Sequence, residues 1–344
     1  MSRLVIIHDT DGDGISSAWL LNKFIGPLHD SVLLIPQRAG NDTIPDGLTT
    51  EDNVILVDRT YPLDVLLLMR HLVNAITIID HHKSRMDEYA AEPLINSDAV
   101  AALDLSPSKI YFEYENMDVL VDTSHSACML THFYCMEHAD NVPVTPYWFI
   151  SYIEDRDMWW FKLPDSKAVN AGLHYFSHEE GYLSLFNLIV NRELYDNELV
   201  RCRLHGAIIL QVQLNIIKSI AHGPTVLRYS DGYHFPPSTL ISGRPIVNNA
   251  NYALVPCPFT LISDLGAYML NYTEEGFITP DVVICYNRLS ETYADGSAKY
   301  AYSIRSKTNM IWLATLYGGG GHPQACGFTT SVTPDKIASL TVNL

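Results

Sequence analysis

Four short runs of branched and leucine-rich residues punctuate the start of the chain. They are Leu4-Val5-Ile6-Ile7, Val32-Leu33-Leu34-Ile35, Val54-Ile55-Leu56-Val57 and Ala75-Ile76-Thr77-Ile78-Ile79. Each gives way at once to turn or polar residues. Apolar runs that are continuous rather than alternating predict strands buried on both faces. Between them, residues 16–25 and 62–72 read as helices, with Pro62 suited to a first helical turn, where its missing N–H costs nothing. This β-α-β-α order predicts an α/β fold, a parallel sheet with helices on both faces.

The pattern then turns helical over 126–139, 146–153 and 177–190. A longer helix over 202–221 carries Ile208, Ile209, Val212, Ile216 and Ile217 and is closed by His222-Gly223-Pro224. It reads as a connector. The expected division is a first domain at 1–195, a connector helix at 196–223 and a smaller α/β domain with a mixed sheet at 224–344. In that last part, 226–229, 245–247, 282–286 and 300–305 predict strands and 261–271 a helix. The run from Gly318 to Gly321 suits neither a strand nor a helix interior.

Composition narrows the function classes. The 344 residues carry 22 basic and 39 acidic side chains, a formal charge of −17. Such a surface disfavours coating long nucleic acid but not a metalloenzyme acting on short phosphates. The six cysteines, at 128, 135, 202, 257, 285 and 326, form no CxxC pair, so they read as buried thiols in a reducing compartment. No uninterrupted apolar run reaches the ~18 residues of a membrane span. A cytoplasmic protein with no membrane partner is expected.

The acids matter more by position than by number. The first strand runs into His8-Asp9-Thr10-Asp11-Gly12-Asp13-Gly14, the third ends at Asp58, the fourth at Asp80-His81-His82, and a helix ends in Glu154-Asp155-Arg156-Asp157. In a parallel sheet the carboxyl ends of the strands share one edge, where ligands bind. Acid clusters delivered to one edge repel unless cations join them. Oxygen and imidazole donors suit Mn²⁺ or Mg²⁺, and a two-metal site is expected. Taken singly, each cluster also has an ordinary reading: a polar turn for Asp9–Asp13, a helix N-cap for Asp58, plain histidines at 81 and 82.

Together these motifs resemble the DHH family of phosphoesterases. His8 to Ala18 is similar to the family's opening motif, Val57-Asp58 to its second, Ile78 to Lys83 to its third and Tyr152 to Trp159 to its fourth. Gly318 to Phe328, with Gly-Gly-Gly-Gly-His at 318–322, resembles the GGGH signature of the DHH-associated C-terminal domain, with Cys326 where the family often has alanine. The five matches occur in family order. Within the first, Asp9-Thr10-Asp11-Gly12 and Asp11-Gly12-Asp13-Gly14 both fit, and the second is preferred. In the fourth, Asp155 fits the ligand position best and Asp157 is the alternative.

The resemblance implies one metal held by His8, Asp11 and Asp58, and another held by Asp13, Asp58, His82 and Asp155. Asp58 would bridge, while Asp80, His81 and Asp157 would serve the catalytic site around the ions. It also implies that Arg305, Gly319, Gly320, Gly321 and His322 bind the substrate's phosphates, with Asn248-Asn249-Ala250-Asn251 a weaker candidate. The implied activity is a Mn²⁺-dependent phosphodiesterase, with Mg²⁺ as the alternative ion, trimming short oligonucleotides to mononucleotides as the oligoribonuclease-like members do. Hydrolysis of linear or cyclic dinucleotides or of 3′-phosphoadenosine phosphate is the alternative. A non-catalytic nucleotide-binding module is the alternative of another class. A homodimer is compatible with the same reading.

Overall fold

Along the first strand, Leu4 and Ile6 pack into one hydrophobic core while Val5 and Ile7 pack into a second, and Ile55 and Val57 part from Val54 and Leu56 in the same way. A strand buried on both faces has no room for polar alternation, which is why these runs are continuous. The computed structural model describes residues 2–38, 41–92, 102–190, 195–223, 227–229, 251–273 and 279–337. Strands β1 (Arg3–His8), β2 (Ser31–Pro36), β3 (Asp52–Val57) and β4 (Ala75–Asp80) are parallel, in the order β2-β1-β3-β4. Helices α1 (Gly12–Phe24), α4 (Ala127–His138) and α5 (Trp148–Asp157) contribute to one core; α2 (Leu63–Met69) and α3 (Lys83–Ala91) contribute to the other. Pro62 is the N-cap of α2, one place before the expected first turn.

The same sheet continues through β7 (Met117–Asp122), parallel to β4, and then β6 (Lys109–Tyr114) and β5 (Ala102–Leu105), both antiparallel to their neighbours. The apolar runs did not predict these three strands. In β7 and β6 buried and less buried residues alternate, so no continuous run marks them. Residues 177–190, expected to be one helix, belong to two: α6 (Ser166–Glu180) and α7 (Tyr182–Ile189), parted by Gly181 at φ 76°. Only glycine enters that region without a steric cost.

The long helix is α8 (Tyr195–Ala221), where the apolar pattern marked 202–221 and the expected division placed a connector at 196–223. The chain forms two units, Met1–Leu210 and Gln211–Leu344, so their boundary falls within α8. By length and composition alone, Asn197–Ala221 suffices to cross a membrane. Within the fold, Cys202 packs in the first unit's core, and Ile217 and Ala221 in the second's. Gly206 is required by close packing: a Cβ there would lie 1.7 Å from the carbonyl oxygen of Ala168 on α6.

The second unit is a mixed six-stranded sheet. Its strands are β8 (Leu227–Tyr229), β9 (Tyr252–Pro256), β10 (Val282–Thr292), β11 (Ala298–Ser306), β12 (Gly320–His322) and β13 (Ala325–Thr330), with β9 and β10 parallel. Helix α9 (Ile262–Leu270) packs in a core on one face and α10 (Ile311–Leu316) in a core on the other. The expected strand at 245–247 and residues Asn248, Asn249 and Ala250 lie outside the described residues. Against expectation, Gly320 and Gly321 form part of a short strand beside β13. The glycines make that approach possible, since a Cβ on Gly319 would lie 2.1 Å from the Gly327 carbonyl oxygen.

Candidate metal centre

The order β2-β1-β3-β4 sets a topological switch point between β1 and β3, and the carboxyl ends of β1, β3 and β4 lie side by side there. Their terminal residues carry the acids and histidines. Each is held by local bonds that follow from its place at an element end.

His8 ends β1 and is buried; its Nδ1–H donates to the Asp9 carbonyl oxygen (2.6 Å), which leaves Nε2 as a lone-pair donor. Asp11 is the N-cap of α1, accepting from the amides of Asp13 (3.0 Å) and Gly14 (3.1 Å). Both oxygens of Asp13 are bound by the first amides of α4, Ala127 N (2.8 Å) and Cys128 N (2.8 Å). A helix N-terminus favours a carboxylate there. Asp58 follows β3 at φ 57°, in the left-handed region, and its amide donates to the Ile79 carbonyl. Asp80 ends β4, and one of its oxygens accepts from the His81 amide (2.7 Å) and from His82 Nδ1 (2.7 Å). That bond fixes the orientation of the His82 ring, as the outer partners of metal-binding imidazoles do.

His81 stands at the centre. Its Nε2 lies 3.3 Å from Asp58 Oδ1, 3.5 Å from Asp157 Oδ2 and 3.7 Å from Asp13 Oδ2. Asp58, His81 and His82 offer ligand atoms within 4.8 Å of one another, and so do Asp13, His81 and Asp157. Asp58 and His82 are thus grouped as the sequence reading grouped them. His8 and Asp11 belong to neither of these sets. His81, expected to orient the site, belongs to both. Of the motif-four pair, Asp157 joins the cluster. Asp155 instead anchors the following loop, its carboxylate accepting from Lys162 N (2.8 Å) and Leu163 N (3.2 Å). Arg305 lies in the second unit, its guanidinium on the Ser263 hydroxyl (3.0 Å) and the Ile304 carbonyl (2.9 Å). Gly319 precedes β12, and Gly320, Gly321 and His322 compose it.

Electrostatics match the geometry. Burial, then the charges of Asp11, Asp13 and Asp157, holds the Asp58 carboxyl well above the usual range. Burial and the charges of Asp13 and Asp11 do the same to Asp157. Burial would also raise Asp80, but the His82 ring overrides it and sets Asp80 at about 2, while Asp80 lifts His82 to about 9. Burial lowers His81 and His8. Sequence reasoning missed Arg59, buried under the edge, whose guanidinium donates to the carbonyls of Gln37 (2.7 Å), Arg38 (3.1 Å) and Asn41 (2.7 Å). Its place directly after Asp58 was the only signal.

The donor set fits hard divalent ions. It offers carboxylate oxygens and imidazole nitrogens, and the two ligand groups contain no cysteine. A cation among Asp13, Asp58 and Asp157 would offset the repulsion that raises two of them.

No family model matches the chain. An uncharacterized protein of Acanthamoeba polyphaga mimivirus is 23% identical over 339 residues, covering 95% of this chain and 67% of the relative. Among solved structures, exonuclease RecJ bound to manganese aligns over 98% of this chain and 88% of its own, at 13% identity and a TM-score of 0.49. A pGpG-specific phosphodiesterase, PggH of Vibrio cholerae, aligns over 99% and 98%, at 13% identity and a TM-score of 0.40. An uncharacterized protein from Helicobacter pylori G27 aligns over 99% and 98%, at 14% identity and a TM-score of 0.38.

Proposed function

We propose that the chain is a divalent-metal-dependent phosphodiesterase that hydrolyses short oligonucleotides to mononucleotides, with Mn²⁺ as the preferred ion. The observation that carries this reading is the His81 ring set among Asp13, Asp58 and Asp157, with His82 beside Asp58. Asp58, Asp157, His81 and His82 would hold the ions, with Asp13 completing the set and Asp58 shared. Bound ions would acidify a water and neutralise the non-bridging phosphate oxygens. Asp80 keeps the His82 ring oriented and its Nδ1 protonated. Asp11 and Asp13 lock the start of α1 and of α4, so the edge is rigid before substrate arrives. His8 brings a second lone pair to the same edge. In the second unit, the backbone of Gly319–His322 and the Arg305 guanidinium are donors of the kind that bind phosphate.

The test is incubation of the purified protein with Mn²⁺ and a 5′-labelled trinucleotide. Accumulation of mononucleotide, abolished by chelator and by Asp58→Asn, is the expected result. Retention of the intact trinucleotide under every metal tried would end the reading.

A further inference from the structure

Helix α5 ends at Asp157, and the chain then turns through two residues in the left-handed region, Trp159 at φ 58° and Phe161 at φ 51°. Side chains other than glycine adopt this conformation at a cost, and such costs persist where the surroundings impose them. Here Asp155 imposes them. Its carboxylate holds the amides of Lys162 and Leu163, and its carbonyl accepts from Trp160 N (2.9 Å) and Phe161 N (3.2 Å). A buried residue thus fixes an exposed aromatic turn. Trp159 and Trp160 are 44% and 38% exposed, whereas Trp19 and Trp148 are 2% and 8%.

Cations interleave with these rings. The Arg156 guanidinium lies 5.0 Å from the Trp159 ring centre, the Lys162 ammonium 4.8 Å from Trp160 and the Lys167 ammonium 4.5 Å from Phe161. Trp159 also meets Phe161 edge-on at 4.8 Å. Two peptide units separate Trp159 from Asp157, which keeps their Cα atoms within ~7 Å. Exposed indoles, interleaved cations and, at Asp157 two residues away, a side chain of the candidate metal centre suit a ligand that is itself aromatic and anionic.

We infer that the Trp159-Trp160 turn is the stacking platform for the nucleobase of the nucleotide bound at the metal centre, with Trp159 carrying the base and Arg156 supporting its ring. The inference rests on the phosphodiesterase reading and deepens it: the substrate class is one with a base next to the reacting phosphate. Every base offers a π-face, so the platform is tolerant of sequence.

The experiment measures binding by calorimetry, with Mn²⁺ present, of adenosine 5′-monophosphate and of ribose 5-phosphate, which lacks the base. The proteins are wild type, Trp159→Phe and Trp159→Leu, each checked for unchanged circular dichroism and melting temperature. Wild type is expected to bind the nucleotide more tightly than the sugar phosphate. Trp159→Leu should weaken the nucleotide by roughly 5- to 100-fold and leave the sugar phosphate unchanged, while Trp159→Phe keeps most of the difference. Equal loss for both ligands, equal behaviour of Phe and Leu, or no preference for the nucleotide in wild type would each overturn the platform. If trinucleotide hydrolysis occurs while the Leu variant binds as wild type does, the platform fails and the reaction stands. If no hydrolysis occurs but the Trp159-dependent preference is seen, the reaction fails and the platform stands.

Discussion

At the scale of single residues, the two aspartates that end α5 divide between shape and chemistry. Asp155 is buried and spends both oxygens on loop amides; Asp157 points its carboxylate at His81. Asp155→Ala should therefore destabilise the fold by about 1–3 kcal/mol for each amide left without a partner, read as a lower denaturant midpoint. Asp157→Asn should leave the metal-free midpoint the same or higher, since it relieves repulsion from Asp13 and Asp11, and should lose bound Mn²⁺ by elemental analysis. Metal loss in the Asp155 variant alone would reverse these assignments. Asp58 carries a different signature, since its φ of 57° suits asparagine better than most residues. Asp58→Asn should fold and yet lose more than ten-fold in turnover, at least ~1.4 kcal/mol of barrier. Residual turnover above a tenth would deny it a central place. The sequence showed that acids gather at strand ends, but not which oxygens were already taken by amides. Asp155 and Asp157 differ only in that respect, and hydrogen bonding across a turn leaves no mark in composition. His81 is the same case. Its neighbour's bond to Asp80 is local and legible, but its approach to Asp13 and Asp157 depends on how α1 and α5 lie against β4.

At the scale of elements, the crossing of α6 and α8 is set by two glycines. A Cβ on Gly172 would lie 2.1 Å from the Cys202 carbonyl, and one on Gly206 would lie 1.7 Å from that of Ala168. Gly206→Ala should push the helices apart and cost about 1–3 kcal/mol or more, seen as a lower melting temperature despite alanine's better helix propensity. A rise in melting temperature would mean that the helices do not pack this closely. The strands are tied by charge as well. The Arg3 guanidinium grips Asp52 with two bonds, Nε–Oδ1 at 2.9 Å and Nη2–Oδ2 at 2.7 Å, joining the starts of β1 and β3. The side-chain hydrogen bond from Arg3 lowers the Asp52 carboxyl. A depressed carboxylate stabilises the folded state above its unfolded pKa of ~3.9 and loses that contribution as pH falls through the folded value. The stability gap between wild type and Asp52→Asn should thus be full at pH 7 and shrink below pH ~4, as urea titrations at both pH values would show. A gap independent of pH would rule out the pairing as its source. Elements were legible where burial is symmetric: β1, β3 and β4 read as strands because both faces are covered. Strands β6 and β7 did not, because their apolar positions alternate with Glu113, Asp118 and Asp122 in stretches short enough to pass for loop.

At the scale of the whole molecule, the residues of the candidate centre all fall in the unit Met1–Leu210, in a chain with a net charge of −17. Two of its carboxyls, the buried Asp58 and the Asp157 at the end of α5, are raised by desolvation and by their acidic neighbours, so the folded state carries a local electrostatic cost that the unfolded chain escapes. Divalent metal should therefore stabilise the fold. Mn²⁺ at a hundred times its dissociation constant should add ~2.7 kcal/mol per site to unfolding of this unit, and chelator should remove it. A melting curve indifferent to both would place the metal elsewhere. The two-unit α/β organisation was legible from the alternation of apolar runs and helices. The position of the boundary within α8 was not, because a helix that serves two cores carries one uninterrupted pattern.

The bond between Asp13 and the first amides of α4, and that between Asp155 and the amides of Lys162 and Leu163, also fix when the centre can come into being. In the order of synthesis, 150 residues separate Asp13 from Leu163. At ~5–20 residues per second, translation needs roughly 8–30 s to bridge them. For much of that interval the emerging chain displays its first acids before the α4 amides that hold Asp13, and then the Lys162 and Leu163 amides that hold Asp155, have been made. Those groups are bare and strongly hydrated, and cannot be held in the arrangement of the candidate metal centre. A ribosome stalled before Leu163 would carry a chain with the candidate ligands already made and the centre not yet assembled.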